Sequence, residues 1–488
     1  MKKPPPLVSQ TKILLSPDSS RVVLRRFAPH PESRLTSIIG RVVAMSEKEV
    51  ECELKKIIAH FTERHLNIEE TFLEHYESVK SFCDTDRELS ETRKSLIGAY
   101  FTHEYSIEST ALFNPSIVAH PDQSELPEGA MRFIMSLRAI GEGHISSLMF
   151  RTGIIDSQNT ISFDEVSRYA GVAHFLSDSL YDKLTFKYKL AELGFDNDFS
   201  NSFFAHLPDS FTIQRLQEEL SAFVHQKHRY SESDKLVHDK ITWLAFSNYV
   251  VSMPAHQPLS YGIVFPASPA EKNGIEDARF VRFVDDDGSI QYYATYTAYD
   301  GRVVLPQLIE TDFKNFKMIT LNGKAIKNKG MALFPRKING KFAMLSRQDN
   351  DSIFLMYSDN IHFWQEAQRI VRPKYEWEFI QIGNCGSPIE TEEGWLVLTH
   401  GVGAIRQYAI GAILLDRADP SKVIGRLSKP LLVPCDSFRD GYVPNVVYTC
   451  GCIVHHAKLI IPYAFSDLRT TVAIVDLQQL LHLLTTKA

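Results

Sequence analysis

In the run Asn273-Gly274-Ile275-Glu276-Asp277-Ala278-Arg279, two adjacent carboxylates and an arginine stand at the entry to a β-hairpin. The hairpin continues as Arg279-Phe280-Val281-Arg282-Phe283, turns at Asp285-Asp286-Asp287-Gly288 and returns as Tyr292-Tyr293-Ala294-Thr295-Tyr296-Thr297-Ala298-Tyr299. A carboxylate held by rigid strands is a candidate proton donor, since general acid catalysis needs a fixed group within reach of the leaving atom. Taken alone, a Glu-Asp pair is more often a solvated acidic turn. The remainder of the chain argues against the ordinary reading.

The elements that must position this pair repeat. From Tyr261 onward the chain consists of short β-rich runs punctuated by Gly, Asp and Asn. One module spans Ala278 to Tyr299. A second comprises Leu333-Phe334-Pro335, Asn339-Gly340, Lys341 to Arg347 and Ile353 to Ser358. A third comprises Ser387-Pro388-Ile389, Glu393-Gly394, Trp395 to His400 and Tyr408 to Asp416; a fourth runs Val446 to Cys450, Lys458 to Tyr463 and Thr471 to Asp476. Phe133 to Arg138 followed by Ile145 to Arg151 supplies a fifth, N-terminal module. The starts fall roughly 50 to 60 residues apart, the period of a propeller blade. The expected fold is therefore mainly β, a five-bladed β-propeller; a β-sandwich also uses short strands but does not need similar modules in tandem.

Pseudo-rotation brings residues of equal phase to one axis. At the end of the second strand these are Tyr299-Asp300, Ser346-Arg347, Thr399-His400, and Tyr463 with Ser466-Asp467 just beyond. A cluster of carboxylates, arginine and histidine is a poor packing solution but a plausible catalytic one.

Two helical segments flank the modules. Between Met45 and Gly98 apolar residues recur at helical spacing, and Ser46 with Glu49 forms a capping box. Within about 163–251, Ile213, Leu216, Leu220 and Phe223 define one face of a helix whose other face carries Gln214, Glu218 and Glu219. The expected organisation is an N-terminal helical extension over 1–100 and a propeller over 101–488 carrying the helical insertion. These helices either mediate self-association, giving a homo-oligomer, wall one side of the cleft, or pack on the propeller's outside.

Composition narrows the functional class. With 44% hydrophobic and 23% charged residues over 488 positions, the chain is an ordinary globular protein. A formal net charge of -6 argues against a nucleic-acid partner. No secretory h-region follows Pro4-Pro5-Pro6 and no run of about 18 apolar residues occurs, so no membrane partner is expected and a cytoplasmic location is. Six cysteines without a CxxC pair read as buried thiols. Asp285-Asp286-Asp287-Gly288 lacks the later glutamate of a calcium loop and reads as a turn, and His455-His456 has no third ligand at useful spacing. No metal and no cofactor are expected.

Several spaced motifs in one order resemble glycoside hydrolase family 130, the β-mannoside phosphorylases and β-mannosidases built on a five-bladed propeller. The matching pieces are Glu276-Asp277-Ala278-Arg279, Tyr296-Thr297-Ala298-Tyr299, Lys329-Gly330-Met331-Ala332-Leu333-Phe334-Pro335, Gly386-Ser387-Pro388-Ile389-Glu390, His400-Gly401-Val402, and Tyr408 through Pro430. The resemblance spans roughly Phe113 to Asp476. It implies that Asp277 is the proton donor, with Ala278 where the family usually has proline. It implies phosphate ligands at Arg347 and His400, with Arg302 and Lys329 as further candidates. For mannose recognition it points to Asn114, Arg138, Tyr296 and Asp467. His144, Ser146 and Arg151 could equally line the axis or form a polar blade edge.

The activity so implied is inverting phosphorolysis of β-linked manno-oligosaccharides, with inorganic phosphate as co-substrate and α-mannose 1-phosphate as product. Arginine's planar fork suits two phosphate oxygens. Asp277 would need either a raised pKa or a relay through a sugar hydroxyl. A β-mannosidase of the same fold would instead require a carboxylate base, for which Glu390 or Asp300 are the candidates. A non-catalytic carbohydrate-binding propeller would need neither.

Overall fold

The structure is a computed structural model that describes residues 7–83, 88–176, 180–227, 230–435 and 440–486. The Pro4-Pro5-Pro6 run lies outside the described residues.

The protein is mainly β. Among the described residues, five sheets have four or more strands and two have two. The first large sheet begins with Ala111–Ala119, Met131–Ile140 and Ser146–Ile155. The second begins with Ile275–Val284, Ile290–Tyr299 and Val304–Thr311, and the third with Lys329–Leu333, Phe342–Arg347 and Ile353–Ser358. The fourth contains Gln381–Asn384, Trp395–Val402 and Tyr408–Leu415; the fifth contains Val447–Tyr448, Lys458–Phe465 and Arg469–Asp476. Each module read from the sequence thus falls within one sheet, and Asp285–Gly288 forms the expected turn, with Asp285 N–H donating to the Ser289 carbonyl at 2.9 Å.

Alternating apolar residues on these strands give each sheet two faces to bury. Phe150 and Phe280 pack in the cluster between the first and second sheets, Phe283 and Met344 between the second and third, and Leu345 and Trp395 between the third and fourth. Leu398 and Ile461 pack between the fourth and fifth, and Ile460 and Phe133 between the fifth and first. Hydrogen bonds follow the same circuit. Phe280 N–H donates to Ser116 Oγ (3.0 Å), Thr295 Oγ1 to the Met331 carbonyl, and Asn384 Nδ2 to the Gly330 carbonyl (2.9 Å). Tyr408 N–H donates to the Asn445 carbonyl (2.9 Å) and Cys450 N–H to the Pro115 carbonyl (2.8 Å), which returns the circuit to the first sheet.

Helices α1 (Ser33–Val43), α2 (Glu47–Phe61), α3 (Ile68–Glu77) and α4 (Glu91–Tyr100) enclose their own core of Leu54, Phe72 and Leu96. The Ser46–Glu49 capping box is present at the start of α2. The region 1–100 is not helical throughout, however. Val8–Gln10 pairs antiparallel with Arg469–Asp476 in the fifth sheet, and Asp18–Arg26 pairs with Thr102–Glu108. Val22-Val23-Leu24 within the latter strand is a β-branched, apolar run that favours a pleated surface, whereas Val8–Gln10 is too short for its period to register.

The insertion likewise mixes types. Helices α5 (Lys183–Glu192), α6 (Asp198–His206), α7 (Ile213–Gln226) and α8 (Glu232–Ala245) bury an aromatic core including Phe199, Phe203 and Phe211. Its flanks, His174–Leu176 and Tyr249–Ser252, pair with each other and extend the second sheet. A last helix, α9 (Leu477–Thr486), packs Leu480 and Leu484 into the cluster of the fourth and fifth sheets.

Candidate functional site

One backbone device recurs on the first strand of three successive sheets. Pairing Glu276 with Thr297 and Arg279 with Thr295 leaves one extra residue, a β-bulge, with Asp277 at φ 53°. The same shift occurs between Phe113 and Ser116, with Asn114 at φ 48°, and between Lys329 and Ala332, with Gly330 at φ 86°. Asp, Asn and Gly are the residues that occupy this left-handed region most readily, so the sequence supports the geometry at each position. Opposite the residue that opens each bulge stand Arg138, Thr297 and Arg347. In the fourth sheet Gly383 faces His400. Arg138, Arg347 and His400 therefore share a phase in their sheets.

These side chains meet in a pocket of about 190 Å³ that also receives Asn114, Asp277, Lys329 and Asp467. Asp277 Oδ1 accepts from Asn114 Nδ2 at 2.7 Å and from Arg138 Nη1 at 3.4 Å, and its Oδ2 lies 3.9 Å from Arg279 Nη2. Glu276 bridges two cations, Arg138 Nη2 at 3.1 Å and Lys329 Nζ at 3.0 Å. Arg279 lies beneath the pocket, donating to the Cys385 carbonyl (2.7 Å), the Asp277 carbonyl (3.1 Å) and Tyr448 Oη (2.7 Å). It thereby ties the second sheet to the fourth and fifth. Arg347 Nη1 donates to His400 Nε2 at 3.1 Å, and the imidazole stands edge-on to Tyr448 and parallel to Tyr408, with ring centroids 5.0 and 6.1 Å away.

The two aspartates have opposite electrostatic environments. Burial pushes Asp277 up, but Arg138, Arg279, Lys329 and the Asn114 amide outweigh it and hold the carboxyl below its ordinary value. Of the two routes expected for Asp277, a raised pKa or a relay through a sugar hydroxyl, its surroundings oppose the first. Asp467 is instead raised to about 6, first by burial and then by the charge of Asp277, with Arg138 and Arg406 opposing. Burial, together with Arg347 and Arg279, holds His400 well below the usual imidazole value, so it is neutral at pH 7. Because an arginine can only donate, His400 Nε2 accepts in this state.

Several sequence-level candidates lie elsewhere. Arg302 is exposed in the turn after Asp300, its backbone N–H bonded to Asp300 Oδ1 at 2.8 Å, and does not line the pocket. Tyr296 is buried behind the bulge and donates to Glu271 Oε1 at 2.6 Å, so its expected sugar contact is corrected to an internal hydrogen bond. The matched phase in the second sheet is Thr297, two residues before Tyr299, because this strand runs on to Tyr299 whereas its counterpart in the third sheet ends at Arg347. Tyr463 takes a hydrogen bond from Gln10 Nε2 (3.4 Å) and is also absent from the pocket wall. Arg151 is consumed by a buried ion pair with Glu108 (3.1 Å), Ser146 donates to the Ile275 carbonyl (2.9 Å), and His144 lies against Tyr442 with ring centroids 5.8 Å apart. Glu390 is held by Arg336 (2.6 Å) and Arg417 (3.1 Å), away from the pocket.

Sequence reasoning did not select Glu276, Arg406, Tyr408 or Tyr448, all of which line the pocket. Glu276 was in view as half of the acidic pair. Arg406 and Tyr408 follow His400 around a hairpin tip in which Ile405 and Arg406 take φ 56° and 52°, so its two left-handed positions carry neither the Gly nor the Asn that would have signalled them.

Residues 218–486 match the family described as beta-1,4-mannooligosaccharide phosphorylase. The 1,2-beta-oligomannan phosphorylase of Thermoanaerobacter sp. (strain X514) is 34% identical over 221 residues, which cover 43% of this chain and 71% of that protein. The beta-1,2-mannobiose phosphorylase of the same strain is 37% identical over 216 residues, covering 43% and 68%. Among solved structures, beta-1,2-mannobiose phosphorylase from Listeria innocua in complex with beta-1,2-mannobiose aligns at 20% identity with a TM-score of 0.46, over 78% of this chain and 93% of that one.

Proposed function

The chain belongs to glycoside hydrolase family 130, and from that premise we propose that it is an inverting β-mannoside phosphorylase that converts a β-manno-oligosaccharide and phosphate to α-mannose 1-phosphate. The five large sheets are proposed as the blades of a propeller, within a catalytic unit of residues 101–488 whose axis holds the pocket.

The observation that carries this reading is the pocket's charge. Four basic side chains, Arg138, Lys329, Arg347 and Arg406, line it against three carboxylates, Glu276, Asp277 and Asp467. Two of the carboxylates are engaged, Glu276 by two cations and Asp277 by an amide and two arginines, whereas Asp467, raised to about 6, is mostly ionised at pH 7. A water nucleophile would need a carboxylate base; Glu390 and Asp300 do not line the pocket, which leaves Asp467 as the base a hydrolase would have to use. A phosphate dianion needs cations, and Arg347 and Lys329 offer them.

In the proposed reaction, phosphate bound by Arg347, Lys329 and His400 attacks the anomeric carbon from the face opposite the leaving sugar. His400 must gain a proton on Nε2, or release Arg347, to donate to a phosphate oxygen. Asp277 starts ionised. Phosphate compensates the cations that depress its pKa and adds a negative neighbour, so the carboxyl moves upward as the complex forms. The proton that Asp277 takes up from solvent as the complex forms then passes to the glycosidic oxygen directly or through a sugar hydroxyl, and the carboxylate is regenerated. Asn114, Arg138 and Asp467 are assigned to the mannosyl hydroxyls.

The test is release of mannose 1-phosphate from a panel of β-1,2-, β-1,3- and β-1,4-manno-oligosaccharides with and without inorganic phosphate, with Arg347→Ala in parallel. Phosphate-dependent product whose KM for phosphate rises about 10- to 100-fold in the variant is expected, the loss of a charge-assisted hydrogen-bonding partner. Free mannose formed equally without phosphate would identify a hydrolase.

A further inference from the structure

We propose that Glu271 is a positioning residue for Asp277, acting through Tyr249 and Tyr296; this rests on the reading of Asp277 as the proton donor. Glu271 lies six residues before Asp277 and is 0% exposed. Its Oε1 accepts from Tyr296 Oη at 2.6 Å and Tyr249 Oη at 3.0 Å, and its Oε2 accepts from Tyr249 Oη at 2.8 Å and from the N–H groups of Ala267 and Ser268, both at 3.0 Å. Among the described residues it forms no ion pair. A buried carboxylate held only by neutral donors is costly to desolvate and persists where all of its acceptors are used.

The partners connect three pieces of backbone. Ala267 and Ser268 begin the segment leading to the bulge. Tyr296 stands on the partner strand between Thr295 and Thr297, the two residues that face Arg279 and Glu276 across the bulge. Tyr249 belongs to the strand that follows α8, so the helical insertion is anchored at the same point. The remaining slack is removed at Gly274, which has φ 117° and on which a Cβ would lie 2.2 Å from Ser146 Oγ. Ser146 Oγ in turn donates to the Ile275 carbonyl at 2.9 Å. With its approach fixed on both sides, Asp277 keeps the left-handed conformation that turns its carboxyl toward Asn114 and Arg138.

The test compares Tyr296→Phe and Tyr249→Phe with wild type, each also placed in the Asp277→Asn background, with Tyr181→Phe, a buried tyrosine of the insertion whose Oη donates to the Ala245 carbonyl at 2.8 Å, as a control for loss of a tyrosine hydrogen bond. Each of the two variants is expected to lower kcat about tenfold or more while the KM for phosphate changes less than about twofold, since misplacement of a catalytic group acts on the chemical step. In the Asp277→Asn background the same substitutions should cause no further loss. Unchanged kcat with only a lower melting temperature, as Tyr181→Phe should show, would overturn the proposal, and so would losses that multiply with Asp277→Asn. If Tyr296→Phe does not fold, Tyr249→Phe decides. Full activity of Asp277→Asn itself would instead remove the reading of Asp277 on which the proposal rests.

Discussion

The first three sheets and the last two build their share of the pocket by different means. In the first three, a bulge on the opening strand sets Asn114, Asp277 and Gly330 at positive φ and leaves Arg138, Thr297 and Arg347 across the ladder. In the fourth, the strand Gln381–Asn384 pairs in unbroken register with the strand carrying His400, and the fifth contributes Asp467 from a turn after its Lys458–Phe465 strand. The comparison teaches that a repeated bulge can fix a carboxylate, an amide and an empty Cβ position at one phase, so three similar backbones present three different chemistries. These last two sheets supply groups whose character comes from surroundings: a neutral imidazole beside two tyrosines and a carboxyl pushed up to about 6.

The sharpest break in this comparison is at the bulge that carries the carboxylate. Asp277→Asn keeps an acceptor for Asn114 and the left-handed backbone but removes the acid and the charge that faces Arg138 and Arg279, so kcat should fall about 10³-fold and the melting temperature should drop as well. Steady-state phosphorolysis with differential scanning calorimetry checks both halves. Gly330→Ala tests whether the third bulge works because its Cβ is missing: at φ 86° with a Cβ 3.2 Å from that of Arg347, alanine should cost about 2 kcal/mol of stability and raise the KM for phosphate several-fold, read by denaturant melts and kinetics.

The smallest effect belongs to the fifth sheet. Asp467 has a folded-state pKa of about 6 against an ordinary 3.8, so the folded protein binds this proton more tightly than the unfolded chain. Its favourable contribution is full below the ordinary value and is lost as pH rises through about 6. Asp467→Asn should therefore be more stable than wild type at pH 8 and equal to it near pH 4, measured as melting temperature against pH.

Legibility in the sequence followed the strength of the local signal. Asp277, Arg347, His400, Asn114, Arg138, Lys329 and Asp467 all reach the pocket because motif order and module phase specify a position within each sheet. Tyr296 and Arg302 rested on the family resemblance: neighbours on a strand face opposite ways, so Tyr296 turns to Glu271 while Thr297 beside it stands opposite Glu276, and beyond Tyr299 the chain turns around Asp300 with Arg302 exposed. The circuit of sheets was visible as five tandem modules, but the strand Val8–Gln10 that joins the fifth sheet was not, since three residues carry no measurable period.

That short strand also bears on how the molecule comes into being. Val8 pairs with Val475 and Gln10 with Ala473, while Asp467 lies in the turn just before their partner strand. During synthesis an early segment must stay available until residue 476 has emerged, and only then can the sheet that carries Asp467 be completed. The pairing spans nearly the whole sequence, and its large loop-closure entropy places it among the slow steps of folding.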